Sequence, residues 1–241
     1  MKIILTLLAI SIILGCKKNE PPKTIYSYKT VVDSSFYCKV MIGNEERIFA
    51  YQLEGSGGGI THFGDSLLFG IGFFYNDSTD KGAERFSIVI YKMFYLKDLE
   101  YKYLYDSEYV STLELSGNEF LSIIQNPNTK FAKFDIFHDG QRDWLVSDGV
   151  RIDYTEYGAL FWGTYWTALH FMNSDSIQNL YSNAEFSLTN LKVLDDCNFI
   201  VEGEFNLNMY SNYTSQFKNF SHGYFKGYAH NIYGRNCNLP N

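Results

Sequence analysis

Val201-Glu202-Gly203-Glu204-Phe205-Asn206-Leu207-Asn208-Met209 carries the strongest regularity in the chain. Val201, Gly203, Phe205, Leu207 and Met209 occupy alternate positions, with Glu202, Glu204, Asn206 and Asn208 between them. Successive side chains of a β-strand point to opposite faces, so strict alternation predicts a strand that is apolar on one side and wet on the other. Such a strand belongs in an antiparallel sheet with one face on a core. Before it, Leu194-Asp195-Asp196-Cys197-Asn198 is turn chemistry, and residues 184–193 are the expected hairpin partner. After it, residues 217–229 predict one long strand or two, kinked at Gly223 and Gly227.

The same period recurs upstream. Cys38, Val40 and Ile42 share a face opposed to Lys39 and Met41, and Gly43-Asn44-Glu45-Glu46 turns the chain into a second strand over 47–53. Residues 55–59 are glycine-rich and predict a flexible loop. Strands are expected over 67–75 and 85–94, with a turn over 76–82. Ser116-Gly117-Asn118-Glu119 ahead of Phe120, Leu121, Ile123 and Ile124 fits a capping box and short helix, or equally a hairpin at 116–118. Twenty Tyr and twenty Phe in 241 residues favour strands. The expectation is an all-β, antiparallel sandwich or barrel-like fold of about eleven strands. At most one or two short helices are expected, and one domain spans 25–241.

The chain opens with an address. Lys2 precedes an apolar run over 3–14, which as a helix covers about 18 Å, short of the ~30 Å needed to span a bilayer. Residues 1–15 therefore read as a signal peptide. Ile13-Leu14-Gly15-Cys16 resembles the lipobox of bacterial lipoproteins, which implies cleavage before Cys16 and lipidation of its thiol with fatty acid such as palmitate. Residues 16–24 are polar and contain Pro21 and Pro22, a short tether. Lys17, rather than Asp, follows the cysteine, so the resemblance points to the outer membrane, on its periplasmic face or at the cell surface. The whole chain carries 20 Lys and Arg against 27 Asp and Glu. That acidic balance argues against nucleic acid and gives no polybasic lipid patch.

Phe36-Tyr37-Cys38-Lys39-Val40-Met41-Ile42-Gly43, then Arg47-Ile48-Phe49-Ala50, resembles the opening of many small Bacteroidetes lipoproteins. Val201-Glu202-Gly203-Glu204-Phe205 and Ser221-His222-Gly223-Tyr224-Phe225 resemble their ending in Gly-x-Phe strands. The likeness covers about a third of the chain. The family is uncharacterised, so it implies a β-rich fold and an envelope location and brings no catalytic residues.

Three cysteines remain after lipidation. Cys197 and Cys237, both outside the predicted strands, are the expected disulfide, and Cys38 a buried thiol. Trp162 and Trp166 fall on one strand face and could seat a sugar or a protein partner, or simply fill a core. Asp135, Asp139 and Asp143, with Gly140, have the spacing of a calcium loop, although Phe137 sits where an oxygen ligand should be. A plain Asp-Gly hairpin fits the same residues. No other cofactor is indicated. Ser66, Ser78 and Ser176 each follow Asp in triplets that resemble an O-glycosylation sequon. The five histidines, His62, His138, His170, His222 and His230, form no ligand motif, though His222 and His230 could approach in a folded hairpin. Glu202 and Glu204 could serve glycoside hydrolysis but share their face with Asn206 and Asn208, which reads as solvated. No nucleophile elbow or phosphate loop is present. The expected role is a membrane-anchored envelope protein that binds or supports rather than catalyses, and the alternative is a glycan-directed surface hydrolase.

Overall fold

A computed structural model describes residues 33–63, 66–77, 84–95, 103–105, 111–113, 115–125, 131, 134–135, 144–145, 148–156, 160–163, 184–211, 216–232, 234 and 237. Among them run β1 (Tyr37–Ile42), β2 (Glu45–Phe63), β3 (Ser66–Asn76), β4 (Arg85–Tyr95), β5 (Tyr103–Tyr105) and β6 (Ser111–Leu113). Then come α1 (Gly117–Ile124), β7 (Phe134–Asp135), β8 (Trp144–Leu145), β9 (Gly149–Glu156) and β10 (Leu160–Gly163). The chain closes with β11 (Glu185–Val193), β12 (Asn198–Ser211) and β13 (Phe217–His230).

Nine strands share one antiparallel sheet in the order β10-β9-β4-β3-β2-β1-β13-β12-β11. β5–β6 and β7–β8 are separate two-stranded ladders. β12 is forked. Its first part, through Asn206, pairs with β11, and its last two residues pair with β10 as Trp162↔Ser211 and Gly163↔Tyr210. Eight strands thereby close a circuit, leaving β11 as a flap outside it. The fold is all-β, antiparallel and barrel-like.

The alternating faces account for the closure. Inward positions of β12 hold Val201, Phe205, Leu207 and Met209, all buried. From β4, Phe86 stacks on Phe205 of β12 at 5.5 Å and lies 6.2 Å from Phe220 of β13. Tyr154 of β9 meets Phe220 at 5.5 Å, and Phe73 of β3 meets Phe225 at 5.7 Å. None of these strand pairs is adjacent in the sheet, so the rings meet across the interior. An eight-stranded barrel is just wide enough for side chains to fill. Charge lies outside: Lys39, Glu202, Glu204 and Lys226 occupy outward positions on β1, β12 and β13, with Lys39 paired to Glu46 at 2.8 Å. A barrel that spans a membrane has the reverse arrangement, apolar outward.

α1 packs against one end. Ser116 caps it, accepting from the Glu119 N–H at 3.3 Å, while the Glu119 carboxylate accepts from the Ser116 N–H at 3.0 Å. This reciprocal cap settles the choice between helix and hairpin. Its buried Phe120 stacks on Phe199 at 5.1 Å and meets Phe69 edge-on at 6.0 Å. The Cys197–Cys237 disulfide joins the β11–β12 turn to the chain beyond β13, with Cα atoms 5.4 Å apart.

Two local expectations are corrected. Residues 55–59 are not a loop. They lie inside β2, where Gly57 and Gly59 pair with Gly72 and Gly70 of β3. The long cross-strand ladder outweighs the low strand preference of glycine. β13 is one strand, and its irregularity sits at His222 (φ 51°), whose N–H donates to Asn206 Oδ1 at 2.7 Å. Gly223 and Gly227 supply space instead, since a Cβ on either would collide with the ring of Phe205 or Phe73 respectively.

Candidate functional site

At the end of the barrel where β3 hands over to β4, the inward positions change character. Arg47 lies two residues before Phe49, Glu84 two before Phe86, and Lys218 two before Phe220. Glu156 lies two after Tyr154. A period of two keeps each on the face of its aromatic neighbour, so four strands deliver charge to one rim. Arg85 pairs with Thr155, which sets Glu84 opposite Glu156. Trp162 pairs with Tyr154 and brings an indole to the same rim from β10.

The rim is knitted by charge. Lys218 Nζ is 2.5 Å from Glu156 Oε2 and sits 4.3 Å from the Trp162 ring centroid, a cation–π geometry. Arg47 Nη1 lies 3.8 Å from Glu84 Oε2. Tyr154 is hydrogen-bonded to Glu84, and its hydroxyl titrates well above its ordinary range, through burial first and then the nearby carboxylates of Glu84 and Glu156. Two polar atoms are left over. Glu84 Oε2 and Trp162 Nε1 are buried and have no hydrogen-bond partner among the described residues. Glu84 is 2% exposed and Trp162 4%. Buried polar atoms in folded proteins are nearly always paired, so both invite a partner.

A second polar cluster lies at the opposite end. Asn198 Nδ2 donates to both carboxylate oxygens of Asp195 at 2.8 Å, and Asn198 Oδ1 faces the Tyr228 hydroxyl and, at 2.7 Å, His230 Nδ1. His230 Nε2 is 2.9 Å from the Cys237 carbonyl. The cluster reads as a structural tie around the disulfide, because every group in it is engaged by the chain itself.

Among the residues singled out from sequence, Trp162 reaches the rim. Trp166, Asp139, Asp143, Ser78, Ser176 and Cys16 lie outside the described residues, as do residues 1–24 as a whole. Asp135 lies in β7, paired with Trp144 of β8, and Ser66 opens β3 opposite Phe63 and Tyr95. Cys197 and Cys237 are joined, and Cys38 is free, buried, and pushed well above its ordinary titration range by that burial. His222 and His230 do not approach: both lie on β13, eight residues apart along one extended strand. Glu202 accepts from the Tyr224 hydroxyl at 2.8 Å, and Glu204 is exposed. No group of three potential metal ligands occurs among the described residues. Sequence reasoning passed over Arg47, Glu84, Glu156 and Lys218. Their shared signal is a charged residue one pleat beyond a terminal core aromatic. Comparison with family models, curated proteins and solved structures found no match.

Proposed function

We propose that this chain is an exported lipoprotein of the bacterial envelope, held at the outer membrane through Cys16, and that it is a binding protein rather than an enzyme. The pairing of charge at the rim carries the binding reading. Glu156 is gripped by Lys218, and Glu84 by Arg47 and Tyr154. A catalytic acid or base needs a carboxyl free to reach a substrate proton. Carboxylates already engaged by cations are arranged to hold a shape and present hydrogen bonds.

The anchor reading rests on the Ile13-Leu14-Gly15-Cys16 motif, and two features of the barrel agree with it. Its charged outer face gives lipid nothing to dissolve, so attachment falls to acyl chains, each buried CH₂ contributing about 0.8 kcal/mol. The Cys197–Cys237 disulfide suits a compartment outside the reducing cytosol. Metabolic labelling with an alkyne palmitate tests the anchor. Label on the wild-type chain, lost in Cys16→Ser together with membrane association, is the expected result. An unlabelled wild-type chain that keeps residues 1–15 would sink it.

A further inference from the structure

We infer that the rim encloses a small uncharged polyol, a monosaccharide or the terminal sugar of a glycan, held between the Glu84 carboxylate and the Trp162 indole N–H. This rests on the binding reading above and names its ligand. Five buried side-chain atoms lack a partner among the described residues, and two of them converge here. Glu84 Oε2 needs a donor and Trp162 Nε1 needs an acceptor. A hydroxyl is both at once, and a sugar ring presents several at fixed spacing. The formal charges of Arg47 and Lys218 offset those of Glu84 and Glu156, so an anionic ligand would meet two carboxylates and a cationic one two cations.

Size agrees. Glu84 precedes β4 and Trp162 lies on β10, with β9 between them. Two strand spacings set their backbones about 10 Å apart, which two inward side chains narrow to the width of one pyranose ring. Arg47 and Lys218 have side chains 28% and 24% exposed, and these long, flexible arms form the way in.

The test uses the full-length lipidated chain in an amine-oxide detergent, which has no sugar headgroup. Glucose, galactose, mannose, N-acetylglucosamine and their disaccharides are screened by saturation-transfer NMR, with binders measured by calorimetry. Glucuronate, glucose 6-phosphate and glycine serve as charged and zwitterionic comparisons. At least one neutral sugar should bind, and the comparisons should bind tenfold or more weakly. Glu84→Gln and Trp162→Phe should each weaken that sugar about tenfold or more while the melting profile is retained; if one variant fails to fold, the other decides. Three results would overturn the inference: no neutral sugar bound, a comparison compound bound as tightly, or undiminished affinity in the folded variants. Capture of a protein at the rim with no sugar bound would end the sugar assignment and leave the binding reading standing. A missing lipid on Cys16 would end the anchor reading alone.

Discussion

Asp153 shows how burial outweighs a salt bridge. On β9, Val150, Ile152 and Tyr154 face the core, so Asp153 points outward, yet it is only 6% exposed. Burial lifts its carboxyl from the ordinary 3.8 to about 6, although Arg151 Nε lies 2.5 Å away and Ser87 adds a hydrogen bond. The folded state therefore holds the proton to higher pH than the unfolded chain does. The stability gained from that proton is complete below about pH 4 and is gone once pH has risen past about 6. Between pH 5 and 7.5 this residue should lower unfolding free energy by on the order of 1 kcal/mol. Urea unfolding at those two pH values should show that slope in the wild type and lose it in Asp153→Asn. The variant should also be weaker throughout, because it leaves buried Arg151 without its carboxylate. An identical slope in both proteins would contradict the assignment.

The two Gly-x-Phe segments turn out to be one device. β12 and β13 pair so that Gly203 faces Phe225 and Phe205 faces Gly223. Each ring lies over the glycine of the partner strand. A Cβ on Gly203 would come within 2.5 Å of the Phe225 ring and 2.7 Å of the Ser187 carbonyl, and one on Gly223 would overlap the Phe205 ring. Gly223 has no left-handed φ, so the constraint is space rather than backbone conformation. Gly223→Ala should therefore destabilise by about 1–3 kcal/mol, as overpacking does, and Phe205→Leu should recover part of that loss in a double-mutant cycle of urea midpoints. Additive losses would show that ring and glycine are not coupled. β12 was legible in sequence because its period of two is a local property, and so was its turn into β11. The strand through residues 55–59 was not, because its partner glycines on β3 are supplied by tertiary pairing. Ser116–Glu119 was readable only as a choice, since one short motif serves a helix and a turn alike. The rim stayed hidden because its six side chains come from five strands and the residue ahead of β4, far apart in sequence; only Trp162 stood out by its type.

Closure of the barrel depends on unequal seams. One end is braced by α1, with Phe120 wedged between Phe69 and Phe199, and by the disulfide that ties β13's exit to the β11–β12 turn. Cross-linking across forty residues stabilises by about 4 kcal/mol on the chain-entropy account. Cys237→Ser should lower the melting temperature markedly, and reductant should then have no further effect on the variant. A melting curve unmoved by the substitution would show that the brace contributes nothing. The other end has no such brace among the described residues. There β10 meets β12 through two residue pairs, whereas β12 and β13 share a ladder from Asn198↔His230 to Tyr210↔Phe217. This short ladder is where the cylinder would unzip first, and Trp162 is one of its four rungs. Any guest seated against that indole would fasten the seam like a clasp, so occupancy and closure become a single equilibrium, and the empty protein is the one that breathes.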